Sequence, residues 1–456
     1  MKILTDNKFN TINVSALAFT ISILFYYAGH NIISSLILII TAFILVYINK
    51  KEYGYYTNPI GVFSAVWFST VGFATLRLHP VQIEWKFATW LCIIVAFLFF
   101  VLGYYSGILN FLKDKFKDSQ TKFDNNKKAN LIFITIIFCS SVIATTIECF
   151  FCEIPLFSKD MLAYQKFIVV GFAYFGVSSV FVLPLSCIYI SNFKKEISKK
   201  EYMFLIIMNI IMFFNSFFIL TRGLLLLNLF LALFTLCRIY KRKELIIIPI
   251  VLLITIFSWK TIGSLKNQDD AYLDKAFQMN ILDSKKESKS SSIKNVKLMR
   301  SYMYVCLNYD NFDLNVNEVK YTYGKSSLYS VYVITGLKFI THVKMKDPKD
   351  KLKRIIKNKK HEGVYNTYSI MFLPYMDFGV FGVALFMFIT GVLCFFFEKV
   401  YKDIILDSML KYCLAFSFFN PYLIYPTTFI FYIALIIVGK KAVCFITDKY
   451  LIKNSI

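Results

Sequence analysis

A charge carried into hydrocarbon is costly and marks a working site by default. The chemistry of this chain is therefore sought first among charged and imidazole side chains inside or beside apolar runs. Arg222 stands in Thr221-Arg222-Gly223, between two apolar runs with almost no loop between them. Asp377 lies early in an overlong apolar run, Lys260 and Glu148 near run ends, and Lys411 within a run. Lys260 and Glu148 read as side chains that snorkel to an interface. Only six arginines stand against 45 lysines, and Arg77, Arg222, Arg300 and Arg354 fall on one side of the topology derived below. A guanidinium offers a planar fork matched to phosphate oxygens, where lysine offers a point charge. His30, His79, His342 and His361 fall on the same side, and a neutral imidazole is a general base. The set suits phosphate recognition with proton transfer. Asp269-Asp270 could hold a magnesium ion on a phosphate but reads better as a solvated turn. Cys149 and Cys152 form a C-x-x-C with no partner at metal spacing, so these thiols read as small buried hydrophobes.

The elements that must position these residues are membrane helices. Of 456 residues, 57% are hydrophobic and 17% charged, against about 25% charged in soluble domains. That composition cannot cover the surface of two or three soluble domains. Barrel strands would alternate apolar and polar residues, and these runs do not. Apolar runs predict twelve spans near 12–28, 31–48, 59–76, 87–109, 130–150, 167–190, 203–220, 224–240, 245–263, 367–397, 405–419 and 423–439. The fold class expected is an all-α polytopic bundle. The run 367–397 is too long for one straight crossing, and Pro374, Asp377, Gly379 and Gly382 predict a break in its first turns. Ala16-Leu17-Ala18 falls too early in the first run for signal cleavage, which predicts an uncleaved first helix.

Charge orients the spans. The loops 1–11, 49–58, 110–129, 191–202, 237–244, 398–404 and 440–456 hold 24 Lys and Arg, whereas the other short loops hold five: Arg77, Lys86, Lys159, Lys166 and Arg222. The positive-inside rule puts the first set and both termini in the cytoplasm. Much of the net charge of +23 is therefore topology, and nucleic acid is not implied. The chain divides into helices over 1–263, a large outer segment over 264–366, and helices with a cytoplasmic tail over 367–456. The 103 outer residues carry 20 Lys and Arg against 11 Asp and Glu. Within them 284–293 is a flexible low-complexity stretch, and 327–341 is apolar but short, which predicts a buried or re-entrant helix. Asp347-Pro348 opens a basic amphipathic helix over 347–360 with Leu352, Ile355 and Ile356 on its narrow apolar stripe. No internal repeat and no nucleotide-binding glycine loop occurs.

The Thr-Arg-Gly turn opening a span, the large outer segment, Asn366-Thr367-Tyr368, and then Pro374-Tyr375-x-Asp377-Phe378-Gly379-x-x-Gly382 together resemble the bacterial oligosaccharide repeat unit polymerases, the Wzy-type O-antigen polymerases. Asn58-Pro59 through Tyr104, with Trp67 and Phe68, fits that resemblance. The Arg-x15-Gly pattern of some polymerases is absent after Arg222, Arg300 and Arg354. The resemblance implies a polytopic fold like that of the glycosyltransferases that use lipid-linked donors (the GT-C-like class). It implies polymerisation at the outer face of the bacterial inner membrane for O-antigen, lipopolysaccharide or other surface polysaccharide biosynthesis. The donor would be a glycan on undecaprenyl pyrophosphate, the acceptor the non-reducing hydroxyl of a new unit, and no cofactor would be needed. A flippase and a chain-length regulator are the implied partners. On this expectation Arg222 and Arg300 bind pyrophosphate with Arg354 or Lys260 assisting, and Arg77, Tyr365 and Asn366 contribute to pyrophosphate and glycan binding. His361, then His342, is the expected general base, and Asp377 with Asn366 orients that base or the sugar. O-antigen ligases share the Arg-Gly turn and the outer segment. A flippase for the same lipid-linked unit is the other alternative, against which stand the missing repeat and the concentration of charge in one outer segment.

Overall fold

The computed structural model describes residues 2–79, 82–113, 123–158, 171–218, 222–265, 296–316, 321–326, 369–419 and 426–453, with single positions 167, 169, 329 and 332. Among the described residues helix is the only regular structure. The helices are α1 (Lys2–Tyr27), α2 (Asn31–Tyr53), α3 (Pro59–Thr75), α4 (Phe87–Tyr105), α5 (Lys127–Phe151), α6 (Phe172–Asn192), α7 (Lys199–Phe218), α8 (Arg222–Ile239), α9 (Glu244–Leu265), α10 (Val296–Val316), α11 (Phe372–Phe395), α12 (Ile404–Ala415) and α13 (Pro426–Lys453). A chain in hydrocarbon must satisfy its backbone groups within each segment, and runs of Phe, Ile and Leu this long do so as helices. Asn58 starts α3 by accepting a hydrogen bond from the Gly61 amide, with Pro59 at the first position. Asn126 starts α5 in the same way through Ala129.

Among the described residues seven helices are long and apolar enough to cross a membrane, and an eighth crossing is counted if α8 and α9 make one bent span. The protein is a multi-pass helical membrane protein. The expected span 59–76 is the 17-residue α3, buried along most of its length. The expected spans 224–240 and 245–263 are α8 and α9, bent by 115° at Tyr240 and packed through Leu225, Leu229, Leu233, Cys237 and Val251. The expected span 405–419 holds α12, whose 12 residues extend about 18 Å against about 30 Å of hydrocarbon.

Packing groups the chain into two compact units, each built from segments distant in sequence. The first comprises Met1–Leu109, Ala271–Phe396 and Cys413–Phe429, and the second Asn110–Asp270, Phe397–Tyr412 and Ile430–Ile456. In the first unit α4 and α11 approach backbone to backbone. A Cβ on Gly103 would stand 2.1 Å from the Phe388 carbonyl oxygen, and one on Gly391 would stand 2.2 Å from that of Phe100. Close approach through small residues is how membrane helices associate where water gives no hydrophobic drive between them. The predicted break in the overlong run falls at Phe378 and Gly379, with Gly379 at φ +62°. A Cβ on Gly382 would meet the Pro374 carbonyl oxygen at 2.1 Å, so the short leading turn folds tightly onto the long helix.

Charges in the second unit are paired rather than snorkelled. Glu148 on α5 is buried and accepts from the Val169 amide at 3.4 Å, which corrects its reading as an interfacial side chain. Lys411 bonds Asp407 one turn away at 2.6 Å, both being buried, and Arg238 meets Glu398 at 3.4 Å. Asp403 caps α12 by accepting from Ile405 and Leu406, and Lys440 pairs with its other oxygen. These carboxylates are tolerated in an apolar setting because each has a cation or an amide donor beside it.

Gly391→Ala and Gly103→Ala should each destabilise the first unit by about 1–3 kcal/mol, the usual cost of overpacking. Gly223→Ala, whose added Cβ meets nothing within 4 Å, is the control. Thermal unfolding of the detergent-solubilised protein measures this, and equal midpoints for all three would contradict the α4–α11 contact.

Candidate functional site

The site is built around the turn between α3 and α4 and the helix α10, all in the first unit. Trp85 ends that turn and is held at three points. Its amide donates to the Tyr26 hydroxyl at 2.8 Å, its carbonyl accepts from Tyr27 at 3.1 Å, and its indole Nε1 donates to Asp310 Oδ1 at 2.6 Å. The rings of Trp90, Tyr309 and Tyr26 stand 5.3, 5.5 and 6.0 Å from it. A buried indole N–H needs an acceptor, and the acceptor here is a buried carboxylate.

One face of α10 docks onto this turn. Tyr302 donates to Gln82 Oε1 at 2.8 Å and accepts from the Leu78 amide at 3.1 Å. Tyr309 shares a hydrogen with Thr70 at 2.8 Å. Asp313 Oδ1 accepts from the Lys86 amide at 2.7 Å and the Thr89 hydroxyl at 2.5 Å, and its Oδ2 lies 3.7 Å from Lys86 Nζ. Lys86 precedes α4 and makes no side-chain cap of its own, so Asp313 supplies from another helix the acceptor that the first turn of α4 requires. An anion there also meets the positive end of the helix dipole. Tyr302, Cys306, Tyr309, Asp310, Asp313 and Val316 follow helical spacing along this face, and the Val316 carbonyl accepts from Tyr375 at 2.6 Å.

Asp310 is the carboxyl of the set whose titration falls near neutrality. It is 3% exposed, and burial pushes its carboxyl up to about 7 against the opposing effect of the Trp85 hydrogen bond. Its Oδ2 has no hydrogen-bond partner among the described residues. A carboxyl that titrates near neutrality, with one oxygen anchored, can take up and release a proton at physiological pH. His79, in the turn between α3 and α4, is buried and its amide donates to Gln82 Oε1 at 3.2 Å; burial pulls its imidazole down to about 4, which keeps it neutral.

The residues singled out from sequence fall into three groups. Asp377 is buried and committed: it accepts from the Thr322 hydroxyl and, at 2.9 Å, from the Ser326 amide. Thr322 also takes the Met376 carbonyl through its amide at 2.9 Å. Asp377 thus ties residues 322–326 of the segment before α11 to the break in that helix and is a positioning residue in this arrangement. Arg77 takes a left-handed φ of +50° and lies 3.8 Å from Glu84 in the turn. Arg300 lies on α10, Arg222 opens α8, and Lys260 lies on α9, but their side chains, together with His342, Arg354, His361, Tyr365 and Asn366, lie outside the described residues. Arg222 and Lys260 belong to the second unit and Arg77, Arg300 and Asp377 to the first. Asp310, Asp313 and Tyr302 escaped the sequence reading, although aromatic and carboxylate residues at helical spacing over 302–316 are visible there. The chain matches no family model, no curated protein and no solved structure.

The site makes stability depend on pH with opposite signs. Asp310 binds its proton more tightly in the folded state than in the unfolded chain, where aspartate titrates near 3.9. Its contribution is full below about 4 and is lost as pH rises through about 7. His79 contributes above about 6.5 and is lost as pH falls through about 4. Asp310→Asn removes the first effect alone. The unfolding midpoint of the variant should rise relative to the native chain between pH 5 and pH 8, and a pH-independent difference would remove Asp310 as the titrating group.

Proposed function

We propose that this protein is an oligosaccharide repeat unit polymerase of the bacterial inner membrane, joining glycans carried on undecaprenyl pyrophosphate at the outer face. The observation that carries the reading is α10. The long basic segment between α9 and α11 sends a helix back into the bundle, and that helix bears Arg300 near its start and Asp310 among aromatic rings. A transporter would place its charges on a central pathway between repeats. Here the titratable carboxyl belongs to an inter-span segment held at the mouth of α3 and α4. Such an arrangement suits a reaction at one membrane face.

On this reading both termini lie in the cytoplasm, and the helical bundle is analogous to the glycosyltransferases that use lipid-linked donors. Bond formation joins the acceptor hydroxyl oxygen to the donor's anomeric carbon, and the bond to undecaprenyl pyrophosphate breaks. Arg300, with Arg354, stabilises the charge that develops on the leaving pyrophosphate, an effect typically worth about 10²–10³ in rate for one donor. The acceptor proton passes to a general base, worth about 10²–10⁴. Asp310 is the described group best fitted to that work, with His361 and His342 as the imidazole alternatives. Asp377 holds residues 322–326 against the break in α11, and Asn366 and Tyr365 would meet the sugar. A flippase and a chain-length regulator would be its working partners.

Deleting the gene and separating the surface polysaccharide on a gel tests the function. Loss of the ladder with survival of the one-unit product is the expected outcome. Loss of the one-unit form as well would favour a flippase or a ligase. Arg300→Ala should reproduce the one-unit phenotype in a well-expressed protein, and a native ladder from it would sink the assigned role.

A further inference from the structure

The face of α10 turned away from Trp85 carries Tyr304, Asn308, Asn311 and Asn315, spaced i, i+4, i+7 and i+11, which is one stripe of a helix. Tyr304 is 39% exposed, whereas the three asparagines are buried. The Nδ2 groups of Asn308 and Asn315 are used within the helix, on the carbonyls of Tyr304 at 2.7 Å and Asn311 at 2.6 Å. Their Oδ1 atoms have no hydrogen-bond partner among the described residues. Tyr304 reaches the turn after α12 through Phe419, with ring centroids 6.3 Å apart. In that turn the Ser417 carbonyl accepts from Ile370 at 2.7 Å, and the hydroxyls of Ser417 and neighbouring Ser369 are likewise buried without a partner among the described residues. Four buried polar groups of the first unit thus stand on segments linked by contacts to one aromatic.

We propose that this stripe is a carbohydrate-binding site, in which Asn308 and Asn315 accept hydroxyl hydrogens of the glycan and Tyr304 supplies a ring face at the more exposed end. The inference rests on the reading of the substrate as a lipid-linked glycan and names the side chains that hold its sugar portion. Buried amide oxygens require donors, and a neutral glycan is rich in hydroxyl donors. The two amides lie about 10.5 Å apart along the helix by the rise of 1.5 Å per residue, so they address successive sugars rather than one hydroxyl. Asp310 lies on the opposite side of α10 from this stripe, so the stripe binds glycan independently of any proton transfer there.

The test uses the full-length protein in detergent and the free oligosaccharide released by mild acid from the host's own one-unit product. That oligosaccharide should raise the thermal midpoint of the native protein. Asn308→Ala/Asn315→Ala should weaken the apparent affinity about 100-fold, taking about tenfold for each lost hydrogen bond, and should shorten the polysaccharide ladder. The variant's own midpoint reports what the two lost Nδ2 bonds and the lost side-chain volume cost, and the shift caused by oligosaccharide is read relative to it. Asn308→Ser, which keeps a hydroxyl acceptor, should bind between the two and is read instead if the double variant fails to fold. Equal affinity for the variants and the native chain, or no midpoint shift in the native protein, overturns the site. If deletion of the gene leaves the ladder intact while the oligosaccharide still binds through Asn308 and Asn315, the polymerase reading fails and the binding site stands.

Discussion

The hydrogen bond from the Trp85 indole to Asp310 is the interaction on which the first unit depends. It joins a turn between two membrane helices to a helix drawn from the long segment that follows α9. Everything nearby follows from the need to satisfy one buried N–H and one buried carboxyl at once. Tyr26 and Tyr27 fix the Trp85 backbone from α1, so the indole has one direction in which to point. Asp313, one turn beyond Asp310, then reaches the open N-terminus of α4. Two carboxylates three residues apart thus do different work, one as a structural cap and one as a titratable group. Their environments decide this: Asp313 has two strong donors and a lysine, whereas Asp310 has an indole, the Ile83 amide and a shell of rings around a more deeply desolvated carboxyl.

The second constraint is close packing. Gly103 and Gly391 let α4 and α11 touch along their backbones, which fixes α11 relative to the helix that Asp313 caps. The break at Phe378 and Gly379 then turns the leading piece of α11 toward residues 321–326, and Asp377 closes that contact. The long segment is therefore pinned by α10 and, just beyond it, by Asp377 through Thr322 and Ser326. A glycan chain threading such a site would meet rigid walls, which is what positioning two large substrates for one bond requires.

The apolar framework was legible in the sequence because hydrocarbon imposes long continuous runs, and the break in α11 was legible because Pro374, Gly379 and Gly382 have few other uses there. The site was less so. Asp310 and Asp313 were not singled out, since nothing in one sequence says that their donors lie on Trp85, Lys86 and Thr89 more than two hundred residues away. Asp377 was recognised as unusual, but its partners Thr322 and Ser326 were not foreseeable from spacing. Glu148 and α12 misled for the same reason. A charge in an apolar run reads as snorkelled or as a crossing until its partner is seen, and Val169 for Glu148 and Asp407 for Lys411 put those charges inside.

Asp310 and the asparagine stripe share a thermodynamic oddity that argues for use rather than architecture. An asparagine at 310 could still accept from Trp85 and would avoid burying a negative charge above neutral pH. Alanine or leucine at 308 and 315 would remove buried oxygens that have no partner in the described fold. Such groups lower stability, and natural proteins keep them chiefly where the gain lies in chemistry or recognition. They also divide by type as the proposed reaction would divide them. The carboxyl able to accept a proton sits on the docked face, held by an indole that sets its orientation. The neutral amides, which accept hydroxyl hydrogens without changing charge, sit on the other face beside a half-exposed tyrosine. On the proposed function one helix would separate proton transfer from sugar recognition, so a change in the glycan's hydroxyl pattern could be met at 308 and 315 without disturbing the carboxyl at 310.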